Sequence, residues 1–178
     1  LFCYGQAVAR IEEKEIKVSG PFFKKSGNIF YPLMFRNFIV TSSVLIKREV
    51  FEKMSGFPID QDLPIAEDLK LWLKVSMIGH GKYIESPIVH YDLGSGGISE
   101  DVSKRFDCLY KVLDWGMKEN KTSKILRSII LNIYWLRRYM KSRGNISLLK
   151  YSIERAIEQR ASFMVISVYR LGLWKARN

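Results

Sequence analysis

The sequence predicts an α/β fold, a mixed sheet with helices, followed by an all-helical basic tail. Two observations carry this reading. Short strand-like runs alternate with amphipathic helical runs as far as Ser99, and from Asp101 onward only helical periodicity remains. The charge divides in nearly the same place. Residues 1–117 hold 15 Lys+Arg and 15 Asp+Glu, whereas 118–178 hold 14 Lys+Arg against Glu119, Glu154 and Glu158, so the whole net charge of +11 belongs to the tail. The expected division is therefore 1–100 and 101–178.

The 178 residues suffice for a real core. An aromatic content of 13% with apolar residues throughout excludes a disordered chain. Cys3 and Cys108 stand far apart without a CxxC partner, which argues against a metal site or disulfide framework and suits reduced thiols in the cytoplasm. No uncharged apolar run approaches the ~20 residues of a spanning helix. The chain opens at Leu1 directly into a strand-like run, so the sequence reads as a fragment lacking its front half.

In order, Leu1 to Ala9 is read as a buried strand and Ile11 to Lys17 as a charged connection or hairpin. Pro21 to Tyr31 is irregular, with Gly20-Pro21 and Gly27-Asn28 as turn signals. Val44 to Ile46 is a short strand, and Lys47 to Met54 a short helix stopped by Gly56. Ala66 to Ile78 is a long helix ended by Gly79, with Leu69, Trp72 and Leu73 on one face. Lys82 to Ile84 and Ile88 to Tyr91 are short strands, and Asp92 to Ser99 is a glycine-rich loop. Helices follow over Val102 to Met117, Ser123 to Lys141 and Ser147 to Leu171, with Asp101 and Ser147 as N-caps.

The chemistry-bearing stretch is Asp60-Gln61-Asp62-Leu63-Pro64-Ile65-Ala66-Glu67-Asp68, a carboxylate-rich loop running into the Trp72 helix. A carboxylate at the mouth of an anchored helix is held in place, as a general base must be. The plainer reading is that Glu67 and Asp68 complement the helix dipole in its first turn. Trp72 shares the apolar stripe and reads as core.

The run Asn37-Phe38-Ile39-Val40-Thr41-Ser42-Ser43-Val44-Leu45-Ile46-Lys47-Arg48, then Gly56-Phe57, then Ala66-Glu67-Asp68-Leu69-Lys70-Leu71-Trp72-Leu73-Lys74, resembles the C-terminal, acceptor-side half of family-2 glycosyltransferases. These are inverting enzymes of the Rossmann-like GT-A fold. The family shows a serine-rich strand, a short helix, a Gly-Phe turn and a Glu-Asp pair opening a leucine-tryptophan helix. Tyr83 to Tyr91 and Gly97-Ile98-Ser99 look like the closing segment of the same domain, so the resemblance covers about residues 1 to 100.

The resemblance implies Asp68 as the base that deprotonates the acceptor hydroxyl, with Glu67 supporting it. Thr41, Ser42, Ser43, Trp72 and His90 then become candidate substrate-binding residues, and His90 also a possible metal ligand. It further implies a nucleotide-sugar donor, a saccharide or lipid-linked acceptor, and Mg²⁺ or Mn²⁺ ligated mainly outside this chain. Asp60-Gln61-Asp62 matches the family's metal-holding Asp-x-Asp. It follows a turn rather than a buried strand, however, and so reads as a solvated acidic loop. Relatives carry arginine where Asp92 stands after Tyr91, which leaves a phosphate contact there unsupported.

In the tail, Ile125, Ile129, Ile133, Leu136 and Met140 form a helical stripe widened by Ile130, Tyr134 and Trp135 and edged by Lys and Arg. That pattern fits either a helix lying on an anionic membrane or a cap packed on the catalytic part. The first would place the protein at the inner face of the membrane. Nucleic acid, the other partner of a basic chain, lacks any accompanying motif. The competing class is a non-catalytic membrane- or polyanion-binding module.

Overall fold

The computed structural model describes residues 1–11, 14–17, 26–59, 65–91, 102–142 and 144–177. Within them lies a mixed α/β fold with a helical tail. Strand β1 (Phe2–Ile11) is central. Its first residues pair antiparallel with β3 (Val44–Ile46) and its last with β2 (Lys14–Lys17), so these two share one edge of β1 end to end. The other edge takes β4 (Gly81–Tyr91) in parallel. A strand flanked on both edges suits the near-continuous burial of Tyr4, Gln6, Ala7, Val8 and Ala9.

Of the stretch read as a charged connection or hairpin, Lys14–Lys17 is thus a strand antiparallel to β1. The two short strands expected over 82–91 are one strand with register shifts opposite Gly5, Gln6 and Ala7. Pro87 sits at this irregularity, where a missing N–H is tolerated.

Helix α1 (Phe30–Phe35) falls partly in a stretch read as irregular. Pro32 lies within its first turn, where no intrahelical N–H bond is required, and Asn28 Oδ1 accepts from the Phe30 N–H at 3.1 Å. Helix α2 (Arg48–Lys53) ends as expected, with Ser55 and Gly56 at φ 60° and 62° and the Gly56 N–H returning to the Phe51 carbonyl. Helix α3 (Glu67–Ile78) buries Leu69, Leu71, Trp72, Leu73 and Val75.

The tail holds α4 (Val102–Glu119), α5 (Lys124–Ser142), α6 (Ile146–Glu158) and α7 (Phe163–Arg177). The single helix predicted over Ser147 to Leu171 is therefore two. Arg160 takes φ 54° and the Ala161 N–H bonds back to the Ala156 carbonyl, closing α6 without a glycine. The cap of α6 is Asn145 rather than Ser147, its side chain accepting from the Leu148 N–H at 2.9 Å. Asp101 lies outside the described residues.

One hydrophobic core runs from Phe2 and Tyr4 through Trp72 and Leu73 to Trp135, Val165 and Tyr169. Gly116 of α4 lets that helix approach α1 and α3, since an added Cβ there would lie 3.3 Å from both Leu73 Cδ1 and Met34 Sδ. Arg137 of α5 donates to the Phe35 carbonyl, and Asn120 donates to the Tyr31 hydroxyl at 3.0 Å. Among the described residues no helix is long and apolar enough to cross a membrane.

The tail stripe is divided between core and surface, with Ile133 and Leu136 half-buried. On α5 it is Ile130, Tyr134, Trp135 and Arg138 that are buried, while Ile125, Ile129 and Met140 point outward. Arg138 is drawn inward because it has partners there. Its Nη1 meets Asp107 Oδ1 at 3.2 Å, its Nε meets Ser152 Oγ at 3.0 Å, and its guanidinium lies 5.1–5.3 Å from the rings of Phe106, Trp135 and Tyr151. Asp107 also accepts from Tyr151 and from Arg155 Nη2, the latter at 3.1 Å. Burial pushes the Asp107 carboxyl upward in pKa, but the Tyr151 hydroxyl and the two guanidiniums more than offset this and leave it below its ordinary value.

Candidate active site

Three local structures converge on Asp68. The first is the turn of chain after α1. Here Phe38 and Ile39 are buried, and Asn37 Oδ1 accepts from the Ile39 N–H at 3.3 Å, fixing the Asn37 amide. The second is a 3₁₀ turn, Thr41–Ser43, leading into β3. The third is the first turn of α3. Its N-cap Ala66 makes no side-chain cap hydrogen bond, so Glu67 and Asp68 are the acidic residues at this positive end.

Asn37 Nδ2 donates to Asp68 Oδ2 at 3.2 Å and Thr41 Oγ1 donates to the same oxygen at 3.1 Å. The Leu69 N–H donates to Oδ1 at 2.6 Å. A carboxylate offers about four acceptor sites, so roughly one is left for an incoming hydroxyl. Leu69, fully buried, anchors the base of the turn while Asp68 itself stays partly exposed. The arrangement holds a carboxylate fixed yet reachable, which helix-dipole complementarity alone does not require. Glu67 stands beside it with Oε2 buried and without a hydrogen-bond partner among the described residues.

The other candidates separate. Ser42 is exposed next to Thr41, whereas Ser43 is buried and donates to the Val40 carbonyl at 2.7 Å, so it does not line a pocket. Trp72 is likewise core rather than a sugar platform. It is 1% exposed, its ring is stacked on Phe2 at 6.1 Å, and Phe57 lies edge-on at 5.9 Å. His90 is exposed on β4, paired through its backbone with Val8, and no hydrogen bond or ion pair among the described residues joins it to Asp68. Asp60, Asp62, Asp92 and the Gly94–Gly97 loop lie outside the described residues.

No group of three or more His, Cys, Asp or Glu among the described residues could hold a metal ion. The divalent cation implied by the resemblance therefore finds no donor set there, and His90 alone does not make one. Asn37 is the contributor that sequence reasoning left without a role. Its only local signal is the short Asn-Phe-Ile turn, and its target lies 31 residues away.

In comparison with known proteins, the chain matches no protein-family model, no curated protein and no solved structure.

Proposed function

We propose that this chain is the acceptor-side part of a family-2-like, inverting GT-A glycosyltransferase in which Asp68 is the general base. On this reading the Asp68 carboxylate takes the proton from an acceptor hydroxyl as that oxygen attacks the anomeric carbon of a nucleotide-linked sugar. The new C–O bond forms as the bond to the diphosphate breaks. A hydroxyl is a weak nucleophile at neutral pH, so a positioned base contributes about 10²–10⁴-fold. The acceptor is a saccharide or lipid-linked sugar, and donor and metal are held mainly by residues outside these 178.

The observation that supports this most directly is the pair of side-chain donors, Asn37 and Thr41, converging on one oxygen of a partly exposed Asp68. Glu67, with its buried oxygen, is the supporting carboxylate. Thr41 and Ser42 are the candidates nearest the base for contact with an acceptor, and the fold offers Trp72 no such part.

The test is to express the full-length gene product, assay it against nucleotide-sugar donors, and compare it with Asp68→Asn. Loss of turnover by about 10²–10⁴-fold with the fold intact is expected. Near-normal turnover would overturn the assignment. The 178 residues by themselves are expected to transfer little or no sugar.

A further inference from the structure

Helix α7 presents apolar side chains on two opposite sides. Val165 and Tyr169 are fully buried, and the Tyr169 hydroxyl donates to the Trp135 carbonyl at 2.9 Å. Phe163, Met164, Leu171 and Trp174 are each more than half exposed, Phe163 at 81%. At about 100° per residue, Phe163 and Trp174 fall three turns apart on one side, with Met164 and Leu171 beside them, opposite Val165 and Tyr169. A surface helix ordinarily turns polar residues outward. The neighbouring α5 repeats the anomaly, with Ile125 at 76% exposure and Ile129 and Met140 also outward.

Charge indicates what covers such a face. Neither α5 nor α7 contains an acidic residue, and Lys124, Lys141, Arg160 and Arg170 on or next to them are exposed. The core of a protein interface is depleted of charge. Large apolar side chains among exposed cations instead match a surface that is anionic at its rim and apolar beneath.

We propose that the outward face of α7 docks on an anionic lipid surface. Phe163, Met164, Leu171 and Trp174 enter the headgroup–acyl boundary, and the exposed cations Lys124, Lys141 and Arg170 lie against lipid phosphates. The helix lies in the plane of the surface.

The full chain is tested by sedimentation with phosphatidylcholine vesicles, with and without phosphatidylglycerol, and by tryptophan fluorescence. Expected are pelleting with the anionic vesicles, weakening as salt is raised, and a blue shift abolished by Trp174→Phe. The variant assigns the shift, since Trp72 and Trp135 are buried and the half-buried Trp115 is still present in it. Phe163→Ser with Trp174→Ser lowers partitioning on the order of a hundredfold while circular dichroism is unchanged. Arg170→Glu, a change of charge at an exposed site, lowers it about tenfold.

Absence of pelleting, equal pelleting with neutral vesicles, or wild-type partitioning of the double variant would overturn the proposal. So would a lipid-independent dimer that the double variant abolishes, since that assigns the face to a second copy. None of these readouts involves sugar transfer, so the proposal stands or fails apart from the proposed activity.

Discussion

Replacing Asp107 by Ala exposes what the tail's buried cation depends on. Two guanidiniums share this carboxylate, but they are not equal partners. Arg155 is 38% exposed, and once water screens its pair with Asp107 the contribution is about 0–1 kcal/mol. Arg138 is 0% exposed, and removing one partner of a buried ion pair costs about 3–5 kcal/mol because the other charge is stranded. Ser152 and the three surrounding rings remain to offset part of this, which points to the low end, about 3 kcal/mol.

For a chain of this size that is a drop in Tm of roughly 6–12 °C. Urea unfolding followed by circular dichroism gives the free energy directly. The decisive arm is the background Arg138→Met, in which no guanidinium is left to strand. There Asp107→Ala should cost about 1 kcal/mol or less. Equal losses in the two backgrounds, or a loss under about 1 kcal/mol in the parent, would refute the claim that Asp107 neutralises a buried charge.

Other outcomes follow from the same geometry. Because the Asp107 carboxyl titrates below its ordinary value when folded, its contribution is complete above the unfolded-state pKa of about 3.9 and is lost as pH falls through the folded value. Parent stability measured against pH should fall there more steeply than that of Asp107→Ala in the Arg138→Met background. Trp72→Ala empties a fully buried site and should cost about 3–5 kcal/mol by urea unfolding, as core aromatics do. A loss under about 1 kcal/mol would remove it from the core. Asn37→Ala and Thr41→Ala each remove a hydrogen bond to Asp68 Oδ2. On the proposed function each should lower the kcat/KM of the full-length gene product by about tenfold to a hundredfold, and unchanged kinetics for both would leave Asp68 without positioning partners.

What could be read from the sequence was what local pattern decides. The α3 stripe, the Gly56 stop and the change to helices after Asp101 rest on neighbours within a few residues, and the structure has each of them. Helix α1 was hidden because Pro32 reads as a breaker, although within a first turn it breaks nothing. The division between α6 and α7 was hidden because Arg160 adopts a positive φ that sequence assigns to glycine.

The orientation of α5 was misjudged for a different reason. With apolar residues on both sides, periodicity alone cannot say which side is covered. Arg138, one of the cations edging the stripe, is fully buried, and Tyr134 and Trp135, which widen the stripe, lie in the core. At the candidate site, Asp68 was legible from its place at a helix mouth. Asn37 was not, since its partner is brought to it only by tertiary structure.

The sheet also imposes an order of events on synthesis. Phe2 pairs with Gly81 and Tyr4 with Tyr83, so the central strand must wait for nearly eighty later residues before it gains its parallel neighbour. Such long-range pairing is intrinsically slow, whereas each helix beyond Val102 forms from bonds between residues a few positions apart. Until β4 has been made, β1 therefore lacks its parallel partner, an interval in which a holding chaperone has most to protect.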